Sequence, residues 1–284
     1  MGQPACVRRS RRSSGLLVVP CTIKTIHVER EHHLAFRVIA RLDVKPPDLV
    51  KGVHMEGLRK LGNPETFAQS YYQQGADEIN YQDIVASLYG RNSLGHLVTH
   101  TARAAFVPLT VGGGVRSIDD AVTLVRSGAD KICINTAAVD NPVLIGELAG
   151  LLGRQAVVVG IEATRISGTW MVMTDSGREH TGKPVEDWLD EIDALGAGEV
   201  LLSSIDHEGT MRGIDVALLD MARSKTSMPL IIHGGVGGPE DAVLAWREGA
   251  DGVAIAAALH YRRTSIPSIK ELLAAQGAEV RLCQ

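Results

Sequence analysis

Two carboxylates in this chain each close a short apolar, β-branched run: Asp43 in "RVIARLDV" and Glu162 in "AVVVGIEA". A pair of this kind, brought face to face, divides into a general acid and a general base. Two glycine-rich stretches accompany them, "LTVGGGVRSIDDAV" over 109–122 and "IIHGGVGGPEDAV" over 231–243. Glycines at strand ends let backbone N–H groups approach a ligand closely, and phosphate is the usual guest. Lys51 follows the first carboxylate in "LVKGV". Each feature also has a plain reading. Glycine pairs permit tight turns, a lone carboxylate bonds a neighbouring lysine or amide, and Lys51 either closes over a ligand or is a solvated surface lysine in a mobile hairpin-like loop.

The elements that must carry these residues alternate. Strand patterns fall at 37–43, 78–83, 107–111, 131–135, 155–162, 199–204, 229–233 and 252–256. Helical patterns such as 64–74, 117–127, 141–151, 185–195, 239–248 and 266–276 lie between most of them. Eight strands alternating with helices predict a parallel sheet, either closed as a barrel or open and doubly wound. Internal repetition favours closure. Gly112-Gly113 answers Gly234-Gly235 at an offset of 122, and Gly128-Ala129-Asp130 answers Gly249-Ala250-Asp251 at 121. Gly75-Ala76 answers Gly196-Ala197 at 121, and Asp43 answers Glu162 at 119. The expected fold is therefore α/β, a single (βα)8 TIM barrel built as a twofold internal (βα)4 repeat.

Active sites of such barrels lie at the C-terminal strand ends. Those ends hold Asp43, Asp83, Gly112, Gly113, Asn135, Thr136, Glu162, Ser203, Ser204, Asp206, Glu208, Gly209, Thr210, Gly234, Gly235, Ala257 and Ala258. The doubled glycine loops predict two phosphate cradles a half-turn apart and a substrate phosphorylated at both ends. At the opposite mouth, strands begin with Arg37, Glu78, Lys131 and Glu199. Burial of two positive and two negative residues calls for salt bridges among them. They form either a polar plug or a gate on a passage through the barrel.

The 284 residues are 45% apolar and 22% charged, an ordinary soluble composition. The net charge of −4 does not suggest a nucleic-acid partner. No apolar run reaches the ~18 residues of a membrane span. Cys6, Cys21, Cys133 and Cys283 lack metal or redox spacing, and His233 and His260 are isolated, so neither metal nor other cofactor is implied. A reducing cytoplasm fits this cysteine usage. Residues 1–35 read as an N-terminal extension, "RRSRRSSGLLVVPC" and "HVEREHH" included: a disordered tail, a misassigned start or a targeting segment. The barrel is expected over 36–284.

"RLDV…LVKGV", "PLTVGGGVRS", "GADKICINTAAVDNP", "SSIDHEGT" and "ALHYRR" together resemble the HisF family, the cyclase subunit of imidazole glycerol phosphate synthase. The resemblance spans 36–284 and implies a twofold barrel. It implies a bis-phosphorylated ribulosyl carboxamide nucleotide (PRFAR) as substrate, converted with ammonia to imidazole glycerol phosphate and an aminoimidazole carboxamide ribotide. It further implies a HisH-type glutaminase that docks as a heterodimer on the N-terminal face and sends ammonia through the floor. Asp43 and Glu162 take the catalytic carboxylate positions, and Arg37, Glu78, Lys131 and Glu199 the gate positions, which favours gate over plug. The chain departs from the family where Glu162 and Glu208 replace Asp, and where Ala258 replaces a phosphate-contacting Ser. "SLYGRNSL" and "GREHTG" resemble HisF-like paralogues of surface-polysaccharide clusters, a resemblance that implies supply of ammonia for amidination of a sugar. Three readings result: histidine-pathway cyclase, sugar-amidination ammonia synthase, and a non-catalytic barrel that activates a glutaminase.

Overall fold

The computed structural model describes residues 35–86 and 94–282. The expected N-terminal extension, apart from Ala35, and the stretch 87–93 of "SLYGRNSL" lie outside the described residues. Twelve strands are present there. β1 (Arg37–Lys45) runs into the hairpin β2 (Asp48–Val53) and β3 (Glu56–Gly62). Then come β4 (Glu78–Asp83), β5 (Leu109–Gly112), β6 (Lys131–Ile134) and β7 (Val157–Ile166). β7 continues into a second hairpin, β8 (Thr169–Thr174) and β9 (Glu179–Pro184). β10 (Glu199–Ser204), β11 (Leu230–His233) and β12 (Gly252–Ile255) complete the set.

Eight of these strands, β1, β4–β7 and β10–β12, pair in parallel with their neighbours. The β7–β10 pairing closes the circle, so the sheet is a barrel and not an open doubly wound sheet. The hairpins pair antiparallel at the C-terminal ends of β1 and β7. The main helices are α1 (Pro64–Gln73), α2 (Gly95–Ala104), α3 (Ile118–Ser127), and, after the short α4 (Thr136–Asp140), α5 (Val143–Leu152). They continue with α6 (Val185–Leu195), α7 (Val216–Lys225), α8 (Pro239–Arg247), the short α9 (Ala257–His260) and α10 (Ile266–Ala275). None of the described helices is long and apolar enough to cross a membrane.

Local chemistry explains why the helices start and stop where they do. The Asn63 side chain accepts hydrogen bonds from the Glu65 and Thr66 amides ahead of α1, with Pro64 supplying a preset φ. Ser117 and Asp120 form a reciprocal capping box on α3, and Gly128 ends that helix in the left-handed region. Helices α2 and α7 are additional to the expected helical patterns. α2, "GHLVTHTARA", is amphipathic and buries Val98 and Thr101.

The strand alternation sorts the core into an outer and an inner part. On β1, Val38, Ala40, Leu42 and Val44 belong to the large apolar cluster against the helices. Ile39 points the other way and packs with Cys133, Val158, Leu201, Ile231 and Ala254 in a separate layer across the barrel interior. Arg37 therefore lies below this layer on the same face of β1, and Arg41 and Asp43 lie above it. In the outer cluster Trp188 on α6 is fully buried, with the Lys183 ammonium 4.1 Å from its ring centroid. Its indole N–H finds no hydrogen-bond partner among the described residues. Trp188→Ala should therefore lower the unfolding free energy by about 3–5 kcal/mol in urea titrations. Trp188→Phe should lose clearly less, because it keeps most of the packing and removes an unsatisfied donor.

Candidate active site

Asp43 sits near the C-terminal end of β1, 4% exposed, with both oxygens engaged. Oδ1 accepts from Arg41 Nε at 2.9 Å and Oδ2 from Lys51 Nζ at 2.9 Å. Burial alone would raise the Asp43 pKa, but Lys51 and Arg41 outweigh it and hold the group well below the usual carboxylate range. Lys51 is neither a solvated surface lysine nor a loop residue. It lies within β2, 3% exposed, and it also pairs with Glu208. Burial would lower its pKa, yet Asp43 and Glu208 push it up. Glu208 Oε2 further accepts from the Met55 amide at 2.8 Å, and its carbonyl accepts from the His54 amide at 2.9 Å. The β2–β3 hairpin is thereby pinned onto the loop after β10.

Glu162, on β7, has no ion pair of its own among the described residues. Its Oε2 accepts from the Gly177 amide at 2.9 Å in the turn between β8 and β9. Burial raises its pKa to about 7, with Asp43 and Asp175 adding to the rise and Arg41 and the Gly177 amide opposing it. Glu162 is thus poised to give or take a proton near neutrality, whereas Asp43 is a fixed anion and a weak base.

Three neighbouring spaces with lining residues in common border these groups. One of about 280 Å³ is lined among others by Arg41, Gln82, Gly113, Asn135, Glu162 and Ser203. A space of about 20 Å³ is shared by Arg41, Asp43, Lys51 and Glu162. A third, about 10 Å³, is bounded by Lys51, Glu208, Gly209, Gly234, Gly235 and Ala257. The two glycine loops thus open on separate spaces with the carboxylates between them. Gly113 and Gly235 both have φ +90°. A Cβ at Gly113 would strike the Asp83 carbonyl, and one at Gly235 the Gly213 carbonyl. These glycines therefore also serve backbone packing within the protein itself.

The remaining expected residues divide. Thr136 lines the large space, and its hydroxyl accepts from the Asp175 amide at 3.1 Å. Among the described residues Asn135 Oδ1 is buried without a partner, as is His233 Nε2, while His233 Nδ1 lies 2.9 Å from the Ala254 carbonyl. Burial and then Arg41 push the His233 pKa well down, so the ring is neutral. Both orphan atoms suit a ligand that donates hydrogen bonds. Gly112, Asp206 and Ala258 line none of the three spaces. Gly112 is buried between Gln82 and Cys133, and Ala258 is buried in α9. Asp206 is exposed and accepts from Thr164 Oγ1 at 2.8 Å and the Arg165 amide at 3.0 Å, bracing the end of β7.

At the opposite mouth the four charges close a ring. Arg37 reaches Glu78 at 3.2 Å and Glu199 at 2.7 Å. Lys131 reaches Glu78 at 2.8 Å and Glu199 at 3.2 Å. Thr110 Oγ1 donates to Glu78 Oε1 at 2.5 Å. Above the ring lies the Ile39 layer, and two of its members, Cys133 and Leu201, also floor the large space. Burial lifts the Cys133 thiol to about 11, so it is uncharged. The interior is thus stacked as a charged ring, an apolar layer and a polar chamber. For a metal, the described residues offer one cluster, Glu65, His96 and His100, on the outer helices α1 and α2; none of the three lines these spaces.

Sequence reasoning passed over Arg41, Gln82 and Ser176. The first two carried a readable signal. Arg37, Ile39, Arg41 and Asp43 alternate on one face of β1, and Glu78, Asn80 and Gln82 on one face of β4, so an inward Arg37 and Asp43 imply an inward Arg41. Ser176 reaches the chamber only through the β8–β9 turn, which no strand pattern foretells.

The Histidine biosynthesis protein family model matches residues 37–265. The imidazole glycerol phosphate synthase subunit HisF of Legionella pneumophila is 56% identical over 206 residues, covering 72% of this chain and 97% of that protein. The HisF subunit of Thermotoga sp. (strain RQ2) is 43% identical over 249 residues, 88% of this chain and 98% of the relative. That of Hyphomonas neptunium is 43% identical over 249 residues, 87% and 99% respectively.

The raised Glu162 pKa fixes a stability effect. The unfolded carboxyl releases its proton near pH 4.3, the folded one near 7, so stability falls as pH rises through that window. Glu162→Gln should leave stability unchanged at pH 4 and raise it by on the order of 2 kcal/mol at pH 8, as read from urea midpoints at the two pH values.

Proposed function

The chain belongs to the HisF family, and on that premise we propose that it is the cyclase subunit of an imidazole glycerol phosphate synthase, a lyase of histidine biosynthesis. In this reading it converts PRFAR and ammonia to imidazole glycerol phosphate and the aminoimidazole carboxamide ribotide. The observation that carries it is the placement of Asp43 and Glu162 on one small space between two glycine-lined ones. A substrate with a phosphate at each end then rests its ends on the loops at 113–114 and 234–235 and its reactive middle over the carboxylates. Asn135, Thr136 and Ser203 on one side, with Lys51, Glu208, Gly209 and Ala257 on the other, line its bed.

The chemistry follows from the two charge states. Ammonia adds to an electrophilic carbon, and an oxygen must leave as water. Protonated Glu162 donates to that oxygen, and its carboxylate afterwards takes a proton from the attached nitrogen. Asp43, held as an anion, stabilises positive charge on that nitrogen. Ammonia comes from a HisH-type glutaminase subunit, which we place at the N-terminal face beneath the Arg37–Glu78–Lys131–Glu199 ring. That ring is the gate. The apolar layer above it disfavours ammonium, whose desolvation is costly, and admits neutral ammonia. A cytoplasmic site of action accords with this role in amino-acid biosynthesis.

A second reading has its own support. The segment 177–182, "GREHTG", which resembles the surface-polysaccharide paralogues, begins at the residue whose amide holds Glu162. The longer acid and the altered turn form one unit, as expected of a barrel that supplies ammonia for amidination of a sugar. PRFAR and an ammonium salt given to the purified protein, with loss of substrate absorbance followed, decide between them. The cyclase should turn over, with kcat/KM falling above a midpoint near pH 7 as Glu162 loses its proton. Glu162→Gln should cost at least ~100-fold and abolish that limb. Absence of wild-type turnover, with stimulation of a glutaminase retained, favours the second reading.

A further inference from the structure

We propose that Arg41 is a positioning residue of this site: strung from Asp43 to Ser203, its guanidinium walls Asp43 off from the large chamber and leaves Glu162 as the carboxyl group that transfers protons there. The inference rests on the cyclase reading and names how labour is divided within it.

Arg41 is 5% exposed, yet its side chain crosses the barrel interior. Nε binds Asp43 Oδ1 on its own strand at 2.9 Å, and Nη1 binds Ser203 Oγ at 3.2 Å. Ser203 lies on β10, and β11 and β12 separate β10 from β1 in the sheet. The guanidinium therefore stands over the apolar layer. Arg41 lines both the large space and the small one, as does Glu162, whereas Asp43 lines only the small one. With Oδ1 on Arg41 and Oδ2 on Lys51, Asp43 offers a ligand in the chamber neither a free oxygen nor a basic one.

The charged and titratable groups facing Arg41 come from every side. Asp43 on β1, Lys51 on β2 and Glu208 after β10 make a mutually paired set with it. Glu162 on β7 feels the guanidinium without bonding it, the His233 ring on β11 is kept neutral partly by it, and the Cys133 thiol on β6 is uncharged. Two cations thus bond two carboxylates, and Glu162 faces Arg41 with neither of them bonded to it. A planar fork is needed to hold two partners on different strands. A lysine would match the charge and lose the span.

The test uses the full-length chain with 13C-carboxyl-labelled Asp and Glu, in wild type, Arg41→Gln and Arg41→Lys. Arg41→Gln should raise the Glu162 midpoint by about one pH unit and bring Asp43 into the observable titration range. The alkaline limb of ammonia-dependent turnover should move with it. Arg41→Lys should keep both titrations near wild type but lower kcat about tenfold with KM nearly unchanged. Its effect should vanish in an Asp43→Asn background, because Arg41 acts through Asp43. Unmoved carboxyl titrations in a folded Arg41→Gln variant would overturn the proposal. So would full kcat in Arg41→Lys, which also decides if the glutamine variant does not fold. If the wild type fails to turn over PRFAR, the cyclase reading falls while the carboxyl titrations still judge Arg41.

Discussion

Inside the upper mouth of the barrel two cations, Arg41 and Lys51, are buried against two carboxylates, Asp43 and Glu208. Buried charges persist only when paired, and loss of one partner typically costs about 3–5 kcal/mol. This network therefore constrains everything near it. It draws the β2–β3 hairpin down through Lys51, holds the loop after β10 through Glu208, and ties β1 across the interior to β10 through Arg41 and Ser203. Glu162 faces this network with no cation bonded to it among the described residues, and burial, the largest influence on it, raises its pKa to about 7.

The same logic works in reverse at the floor. There Arg37 and Lys131 meet Glu78 and Glu199 in a closed ring, with no carboxyl group left over. At the upper site Glu162 has no cation bonded to it among the described residues and its pKa lies near neutrality, whereas both cations and both carboxylates of the floor ring are paired. Between them lies the layer of Ile39, Cys133, Val158, Leu201, Ile231 and Ala254, which excludes charge from the barrel axis.

Much of this was legible beforehand because strand alternation is a local property. "RVIARLDV" places Arg37 and Asp43 on one face at opposite ends of one strand, which is enough to expect a charged floor and an acidic mouth. Arg41 shares that face and its inward direction was equally legible, but its partner Ser203 lies 162 residues away. Lys51 shows the limit more sharply. Its spacing alone fits a surface lysine as well as a buried one, because what buries it is Glu208 on a distant loop. Asp206 shows the opposite error. It sits beside Glu208 in sequence, yet the turn aims it at Thr164 and Arg165, outward from the chamber.

The amino-acid sequence by itself determined the alternation of eight strands with helices, the ends on which carboxylates and glycines fall, and the signs of charge at each mouth. These follow from periodicity and turn chemistry within a few residues of each position. Closure over an open sheet, which the internal repeat favours, is completed by β7 meeting β10. Only the tertiary structure decided which carboxylates are bonded to cations and that Glu162 is not. Proton affinity is set by burial and by charges a few ångströms away, and those neighbours come from strands that the chain joins only by folding.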